Sequence, residues 1–435
     1  MNIEIKNISA VLPDEDGFSV QKADIFIQGD IIAGINTAPD NFVPDKIISR
    51  NENKLLIPGL INAHTHSYMS LFRNIADDLP FSEWLFGRIE PLENKLTGED
   101  AYWGALLSCA EMIKTGTTCF ADMHMFKTHI VRAVHESGMR AVLGRGLVGS
   151  FEDGVPDDGG RLKESFEDID YSINGLGSDL ISFFLAPHAL YTCTPEYLRH
   201  VADTAQENSL GIHIHLAESR SEFENCMKNH GMTPAELLSS LGVFRNHTLA
   251  AHCVYVTDSD IRLLSEAGVN AVTNPVSNMK LGNGFAPVVK LMSAGVNVSL
   301  GTDSAASNNS LNLFRELGIL TLIHKGVNED STSVSAAEGF CMATKNGAKA
   351  LNLQNLTGSV KTGMKADLAI MNLDTPGFYP RNNLISALSY SSGGSEAETV
   401  IINGEIVMEA REMKTIDTER VYFEAERICS RIVQN

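Results

Sequence analysis

The feature that most constrains the fold is a repeated alternation of short apolar runs with amphipathic stretches through the middle of the chain. Helix-like stretches such as GEDAYWGALLSCAEMIKTG and PEYLRHVADTAQENS separate the apolar runs. The eight runs cover residues 55–62, 117–123, 140–148, 181–187, 210–216, 248–254, 269–274 and 296–303. Alternating strands and helices are typical of a parallel sheet, and eight units predict an α/β fold of the closed (β/α)₈ TIM-barrel type.

The two ends of the chain carry a different pattern, that of short β-hairpins. DIFIQGDIIAGI has a Gly29-Asp30 turn between two β-rich runs, and ETVIINGEIVMEA has an Asn403-Gly404 turn. We therefore expect a small composite β-sandwich domain built from residues 1–54 and 360–435, beside a barrel of residues 55–359. The last segment has helical spacing after Asp417, a candidate N-cap.

Charge and cysteine content restrict the class of partner. Among 435 residues, 34 are Lys or Arg and 54 are Asp or Glu, which gives a net charge of −20. Such a chain repels nucleic acid and anionic membranes, so we expect neither as a partner. Seven scattered cysteines without a CxxC pair, and an amino terminus unlike a signal peptide, predict a cytoplasmic protein. Homo-oligomer formation is left open.

Polar side chains end five of the eight runs. Chemistry in (β/α)₈ barrels takes place where the carboxyl ends of the strands meet, so these residues are predicted to converge at one mouth. They are His64, His66, His188, His215, Glu218, His252 and Asp303.

The HxH pair that ends the first run is the first candidate for metal binding. Residues i and i+2 of a strand share a face and lie about 6.6 Å apart, so His64 and His66 can share one ion. Such a pair alone is equally consistent with structural histidines, but the other polar strand ends favour a metal. His213 and His215 also share a face. His215 lies nearer the strand end, beside Glu218, and is our predicted ligand, whereas His213 is predicted to pack inside the barrel or to orient a neighbour.

Several motifs together resemble those of a known superfamily. PGLINAHTH, HLAES, AAHCVYV and LGTDSAASNN resemble the amidohydrolase superfamily of metal-dependent (β/α)₈ hydrolases. NIADDLPFSEWLFGRIEPLENKLT, DDGGR, APHALYTC and NPVSNMKLGNGFAPV resemble its 5-methylthioadenosine/S-adenosylhomocysteine deaminase group, which is related to chlorohydrolase-type members.

This resemblance implies roles for particular residues. The implied metal ligands are His64, His66, His215 and Asp303. The implied catalytic residues are Glu218, His252 and Asp303. The implied substrate contacts are Glu93, Arg145, Arg161, His188, Glu218 and Asp303. Binuclear superfamily members carry a bridging modified lysine at the end of strand four, where this chain has LAPHAL, so one divalent ion, Zn²⁺ by preference, is expected.

The resemblance also implies an activity. It predicts hydrolysis of a C–N bond in a cyclic amidine, converting the adenine of 5′-methylthioadenosine, S-adenosylhomocysteine or a related small molecule to the inosine form with release of ammonia. In that reading Glu93 accepts hydrogen bonds from the ribose hydroxyls, and Arg145 and Arg161 bind a carboxylate tail.

Two alternatives remain at this point. The first is an amidohydrolase acting on another heterocycle, such as a chlorotriazine, guanine or cytosine, with the same metal ligands and a different pocket. The second is a non-catalytic binding protein on a degenerate barrel. The second requires a lost ligand or acid, whereas His64, His66, His215, Glu218, His252 and Asp303 are all present.

Overall fold

The first part of the chain is a series of strands. The computed structural model describes residues 1–15, 17–49 and 51–434. The strands that precede the barrel are β1 (Asn2–Asp14), β2 (Gly17–Gln28), β3 (Ile31–Ile35), β4 (Lys46–Ile48) and β5 (Lys54–Pro58).

Eight parallel strands within these ranges form the nearly closed barrel that the sequence predicts. They are β6 (Leu60–Thr65), β7 (Thr117–His124), β8 (Arg140–Leu147), β11 (Ile181–Pro187), β12 (Gly211–Leu216), β13 (Thr248–His252), β14 (Asn270–Thr273) and β15 (Asn297–Leu300). A small hairpin of β9 (Ser150–Glu152) and β10 (Val155–Asp157) follows β8. Just past β15, the Asp303 amide donates to the His64 carbonyl at 2.9 Å, which joins the last strand to the first.

Helices and further turns cover the outside of the barrel. The helices are α1 (Glu90–Glu93), α2 (Gly98–Lys114), α3 (His129–Ser137), α4 (Arg161–Asp170), α5 (Pro195–Glu207), α6 (Arg220–His230), α7 (Pro234–Ser240), α8 (Asp258–Glu266), α9 (Pro275–Lys280), α10 (Val288–Ser293), α11 (Ala305–Asn308), α12 (Leu313–Val327), α13 (Ala336–Met342), α14 (Lys345–Ala350), α15 (Leu384–Tyr390) and α16 (Thr418–Gln434). Asp417 accepts from the Arg420 amide at 3.0 Å, as its predicted capping role requires. In the described ranges, no helix combines the length and apolarity needed to span a membrane.

Strands from both chain ends build the second, smaller unit. The carboxyl-terminal strands are β16 (Leu368–Asn372), β17 (Ala397–Ile402), β18 (Glu405–Glu409) and β19 (Glu412–Met413). The predicted sandwich is one continuous sheet in the order β19-β18-β17-β16-β5-β1-β2-β3, with β4 beside β1. The sheet curls around one apolar cluster, in which Ile3 and Ile25 from the first half meet Leu368 and Ile401 from the second.

The run at residues 55–62, which we predict as one barrel strand, is instead two strands that belong to different sheets. β5 pairs with β1 and β16 of the terminal sheet, and β6 begins the barrel. Gly59 separates them, and a Cβ at this position would lie 2.0 Å from Thr118 Oγ1. A glycine is therefore required where the chain passes from one sheet into the other. We propose a domain boundary at Gly59 in place of residue 54.

An apolar cluster fills the barrel interior beneath the mouth. Ile61 and Ala63 of β6 pack there with residues of the neighbouring strands and of α14. The pairing of β6 with β7 then shifts register between residues 62 and 65. This bulge changes the inward-facing positions from odd to even numbers, so His64 and His66 reach the mouth above the apolar cluster.

Candidate metal centre and substrate cavity

Four buried side chains converge at the barrel mouth. His64 Nε2 and His66 Nε2 lie 3.5 and 3.4 Å from Asp303 Oδ1, and His66 Nε2 lies 3.3 Å from His215 Nε2. None of the four residues is more than 8% exposed. Potential ligand atoms of His64, His66 and His215 lie within 4.8 Å of one another, as do those of His64, His252 and Asp303. The structure thus brings together the four residues predicted as metal ligands.

Hydrogen bonds on the far side of each ring leave Nε2 free to face the centre. His66 Nδ1 lies 2.8 Å from the Met123 carbonyl, and His215 Nδ1 lies 2.8 Å from the His188 carbonyl. A proton on Nδ1 leaves a lone pair on Nε2, the state that a metal ligand needs. His64 Nε2 is buried without a hydrogen-bond partner in the described residues. Three such nitrogens and one carboxylate oxygen fit a divalent ion.

The surroundings keep these groups in the protonation states that bind a cation. Burial lowers the pKa of His64 to about 4, so the ring is neutral at pH 7. Burial alone would raise the pKa of Asp303, but the imidazole rings around its carboxylate, with His64 the strongest influence, hold it well below its usual value. Ser277 and Ser307 donate to Asp303 Oδ2 at 2.6 and 2.9 Å, which fixes the carboxylate.

Glu218 lies beside this cluster, two residues after β12. Its side chain is buried, and Oε1 accepts from Asn283 Nδ2 at 3.0 Å. Burial and the negative charge of Asp303 raise the pKa of Glu218 to about 8, so the carboxyl group holds a proton at neutral pH. A buried carboxylic acid at this place can donate a proton to a bound molecule.

Two residues that support the site are absent from our sequence-based predictions. Both carboxylate oxygens of Glu222 accept backbone hydrogen bonds, from Ala217 at 3.1 Å and from Glu218 at 2.8 Å. The signal for Glu222 was the Ser219-x-x-Glu222 spacing typical of a capping box, and Ser219 Oγ does accept from the Glu222 amide. Asn278 Oδ1 lies 2.8 Å from His252 Nδ1, a contact without a sequence signal.

A cavity of about 210 Å³ opens directly above the cluster. One end is lined by residues of the cluster, including His66, His215, Glu218, His252 and Asp303. The segment before α2 forms another wall with Trp84, Leu85, Phe86 and Glu93. Tyr68 donates its hydroxyl hydrogen to one oxygen of Glu93, and burial raises the pKa of that carboxyl group. Because Glu93 lines the cavity and Tyr68 contacts only one of its oxygens, its carboxyl group can also form hydrogen bonds with hydroxyl groups of a bound molecule.

The remaining predicted substrate residues differ in their placement. His188 and Arg161 line the cavity. Burial lowers the pKa of His188 to about 3, so its ring is neutral. Arg145 is not among the described cavity-lining residues: its guanidinium pairs with Glu164 and donates to the Met125 carbonyl. A substrate contact by Arg145 therefore stays a prediction that the geometry does not support directly.

Taken together, the fold and the site define a (β/α)₈-barrel protein with a His/Asp cluster that could hold a metal ion beneath a cavity. The sequence profile described as "Amidohydrolase family" matches residues 55–407. The chain belongs to the amidohydrolase family.

Named relatives align over nearly the whole chain. A 5-methylthioadenosine/S-adenosylhomocysteine deaminase from Caldanaerobacter subterraneus subsp. tengcongensis is 44% identical over 434 residues, 100% of this chain and 99% of the relative. A 5′-deoxyadenosine deaminase from Methanocaldococcus jannaschii is 45% identical over 409 residues, 94% of this chain and 96% of the relative. The solved structure of an adenosine deaminase from Xanthomonas campestris with bound zinc matches with a TM-score of 0.91 at 31% identity, covering 100% of this chain and 99% of that one.

Proposed function

We propose that the protein is a metal-dependent hydrolytic deaminase of adenosine derivatives. It replaces the 6-amino group of the adenine ring with oxygen, releases ammonia and leaves an inosine-type product. The observation that carries the proposal is the buried carboxyl group of Glu218, whose pKa burial and Asp303 raise to about 8, in the same cavity as the His/Asp cluster and Glu93. The deaminase names of relatives at 44% and 45% identity support it.

One divalent ion is proposed, with Zn²⁺ as the preferred metal. His64, His66, His215 and Asp303 would hold it. When bound, such an ion is a Lewis acid that lowers the pKa of water toward about 7. The donor set supports this assignment, as does the zinc in the related Xanthomonas campestris structure. The end of strand four carries His188 and no lysine, which favours one ion over two.

The side chains of this protein move the protons. Asp303 has an unprotonated carboxylate and accepts a proton from the attacking water. His252, whose Nε2 lies 3.9 Å from Glu218 Oε2, holds the oxygen nucleophile in line with C6 of the ring. Glu218 donates its proton to the ring nitrogen, then takes the proton of the new C6 hydroxyl group and passes it to the leaving amine as the C6–N bond breaks, as a general acid–base. The proton held by Asp303 finally returns Glu218 to its protonated form.

The rest of the cavity fits a nucleoside. Glu93 accepts hydrogen bonds from two ribose hydroxyls, and His188 contacts the base. Arg161 is the proposed partner for a carboxylate on a 5′ substituent. These roles predict 5′-methylthioadenosine, S-adenosylhomocysteine or 5′-deoxyadenosine as the small-molecule substrate. The seven cysteines are unpaired, which supports a reducing cytoplasm as the proposed location.

A panel of adenosine derivatives and free bases, incubated with metal-loaded protein, tests the proposal. Ultraviolet absorbance and ammonia release should reveal deamination of nucleosides, and metal analysis of the same sample should find about one ion per chain. Absence of deamination across the whole panel would contradict the proposal.

Glu93→Ala separates a nucleoside deaminase from a hydrolase of a free heterocycle. If Glu93 binds the ribose, the variant should lose far more kcat/KM on a nucleoside than on a free base, which has no diol. An equal loss on both substrates would instead favour the alternative of a chlorotriazine, guanine or cytosine substrate.

A further inference from the structure

His213 contacts a residue of the proposed metal centre without belonging to the ligand set. Its Nε2 lies 2.8 Å from His64 Nδ1, and the ring centroids are 4.9 Å apart at an interplanar angle of 82°. The exposed fractions of His213 and His64 are 1% and 0%. Water therefore cannot replace either ring as the hydrogen-bond partner of the other.

The other histidines of the centre are held differently. His66 and His215 each use a backbone carbonyl as the partner of Nδ1. A backbone carbonyl only accepts, so it fixes the proton on Nδ1. Among the described residues, no backbone carbonyl takes this place for His64. Its Nδ1 meets an imidazole nitrogen, which accepts only in one of its tautomers.

We infer that His213 is a positioning residue for the metal centre, which accepts the Nδ1 hydrogen of His64 and thereby keeps the His64 Nε2 lone pair directed at the ion. This inference rests on the proposed metal-dependent function and extends it to a residue outside the ligand set. His64 Nε2 is buried and has no hydrogen-bond partner in the described chain, as this tautomer requires. With the reverse tautomer, a proton on Nε2 would stand between His64 and the cation.

Zinc affinity tests this role independently of substrate turnover. His213→Phe keeps a ring of similar size and lacks an acceptor, and His213→Leu lacks an acceptor with a different shape. His213→Gln is the matched control, because its Oε1 can accept from His64 Nδ1. Apo forms of the four proteins are titrated with Zn²⁺ against a chromophoric chelator, and Co²⁺-loaded forms are compared by visible absorption. Circular dichroism checks the fold of each.

Both variants without an acceptor should lose zinc affinity by about 10- to 100-fold and change the Co²⁺ spectrum, whereas His213→Gln should retain most of the affinity. Equal losses in all three variants, or unchanged affinity in folded His213→Phe, would overturn the role. Failure of the parent protein to deaminate any adenosine derivative would contradict the proposed function, and the zinc affinities would still decide the role of His213.

Discussion

At the scale of single residues, the site depends on backbone conformations that residues other than glycine rarely adopt. Ala217, His252 and Asp303 have φ values of 50°, 73° and 60°, in the left-handed region. Strand alternation after Leu249, which packs inside the barrel, would direct His252 outward. The left-handed conformation at the end of β13 instead brings its ring to the mouth. Local strain of this kind is found at functional sites, where the surrounding packing maintains it.

Glu218→Gln should abolish most of the activity without removing the metal. Glutamine cannot donate an acidic proton, and general acid–base catalysis contributes about 10²- to 10⁴-fold to such reactions. We expect kcat to fall by at least about 10²-fold, with unchanged metal content by elemental analysis. Glu224→Gln, at an exposed position of the following helix α6, is the control and should keep the kcat and the metal content of the parent. Normal turnover by Glu218→Gln would refute the acid role.

The sequence predicts which side chains meet at the barrel mouth, because HxH spacing and strand ends are local patterns. His64, His66, His215 and Asp303 follow predicted strands, and parallel strands bring their carboxyl ends together. The contact of Asn278 with His252, and the ion pair of Arg145 with Glu164, depend on side chains distant in sequence. Such contacts follow from tertiary packing, which no local pattern encodes.

At the scale of elements, the turn between β12 and α6 holds Glu218 in place. Glu222 accepts the amides of Ala217 and Glu218, and burial raises its own pKa to about 7. This turn therefore depends on one side chain from the first turn of α6.

Replacing Glu222 should disturb both the turn and the reaction. Glu222→Ala leaves two buried amides without acceptors, at a cost of about 1–3 kcal/mol each. We expect a lower thermal midpoint and a loss in kcat that exceeds the change in KM. Glu222→Gln retains one oxygen that can accept from a backbone amide. Its thermal midpoint and its kcat should therefore lie between those of the parent and of Glu222→Ala. Parent-like kcat in folded Glu222→Ala would show that the turn does not position Glu218.

The contact between α4 and the start of α3 makes the stability depend on pH. Asp168 accepts from the Thr128 amide, and burial raises its pKa from 3.8 to about 7. The folded state thus binds a proton that the unfolded chain releases above about pH 4, so this residue's contribution to stability declines as pH rises from 4 to 7.

Asp168→Asn should remove that pH dependence. At pH 8 the variant should be more stable than the parent by roughly 2 kcal/mol, and at pH 4 the two should be nearly equal. Thermal midpoints at both pH values measure the difference. Asp170→Asn, at an exposed position of the same helix, should show no such change. A variant no more stable than the parent at pH 8 would contradict the raised pKa.

Element boundaries are predicted to within a few residues for most barrel strands, and the 181–187 run coincides with β11. The error at 55–62 has a physical cause. β5 and the start of β6 are both buried and apolar, so hydropathy cannot divide them. Only the partners of β5, which lie at opposite ends of the chain, assign it to the terminal sheet.

At the scale of the whole molecule, a buried ion pair joins the barrel to the terminal sheet. Arg140, the first residue of β8, donates from Nε and Nη2 to Asp367 at 2.6 and 3.1 Å. The Asn403 amide donates to the same carboxylate at 2.7 Å. The side chains of Arg140 and Asp367 are 3% and 0% exposed.

Asp367→Asn should destabilise the protein strongly, because it leaves the Arg140 charge buried and uncompensated. The expected loss is about 3–5 kcal/mol, measured by chemical denaturation. Glu398→Gln breaks the partly exposed pair with Lys54 in the same sheet and should cost less than about 1 kcal/mol. Equal losses of unfolding free energy in the two variants would contradict a larger contribution of the buried pair to stability.

The pairing of β5 with β16 also delays completion of the terminal sheet during synthesis of the chain. Pro58 pairs with Leu368, which is translated about 310 residues later. At a synthesis rate of about 5–20 residues per second, roughly 15 to 60 s pass between translation of Pro58 and translation of its partner in β16. During that interval the edge of β5 is an open template for wrong partners. The terminal sheet therefore cannot be completed before β16 is made, although this strand contributes none of the proposed ligands.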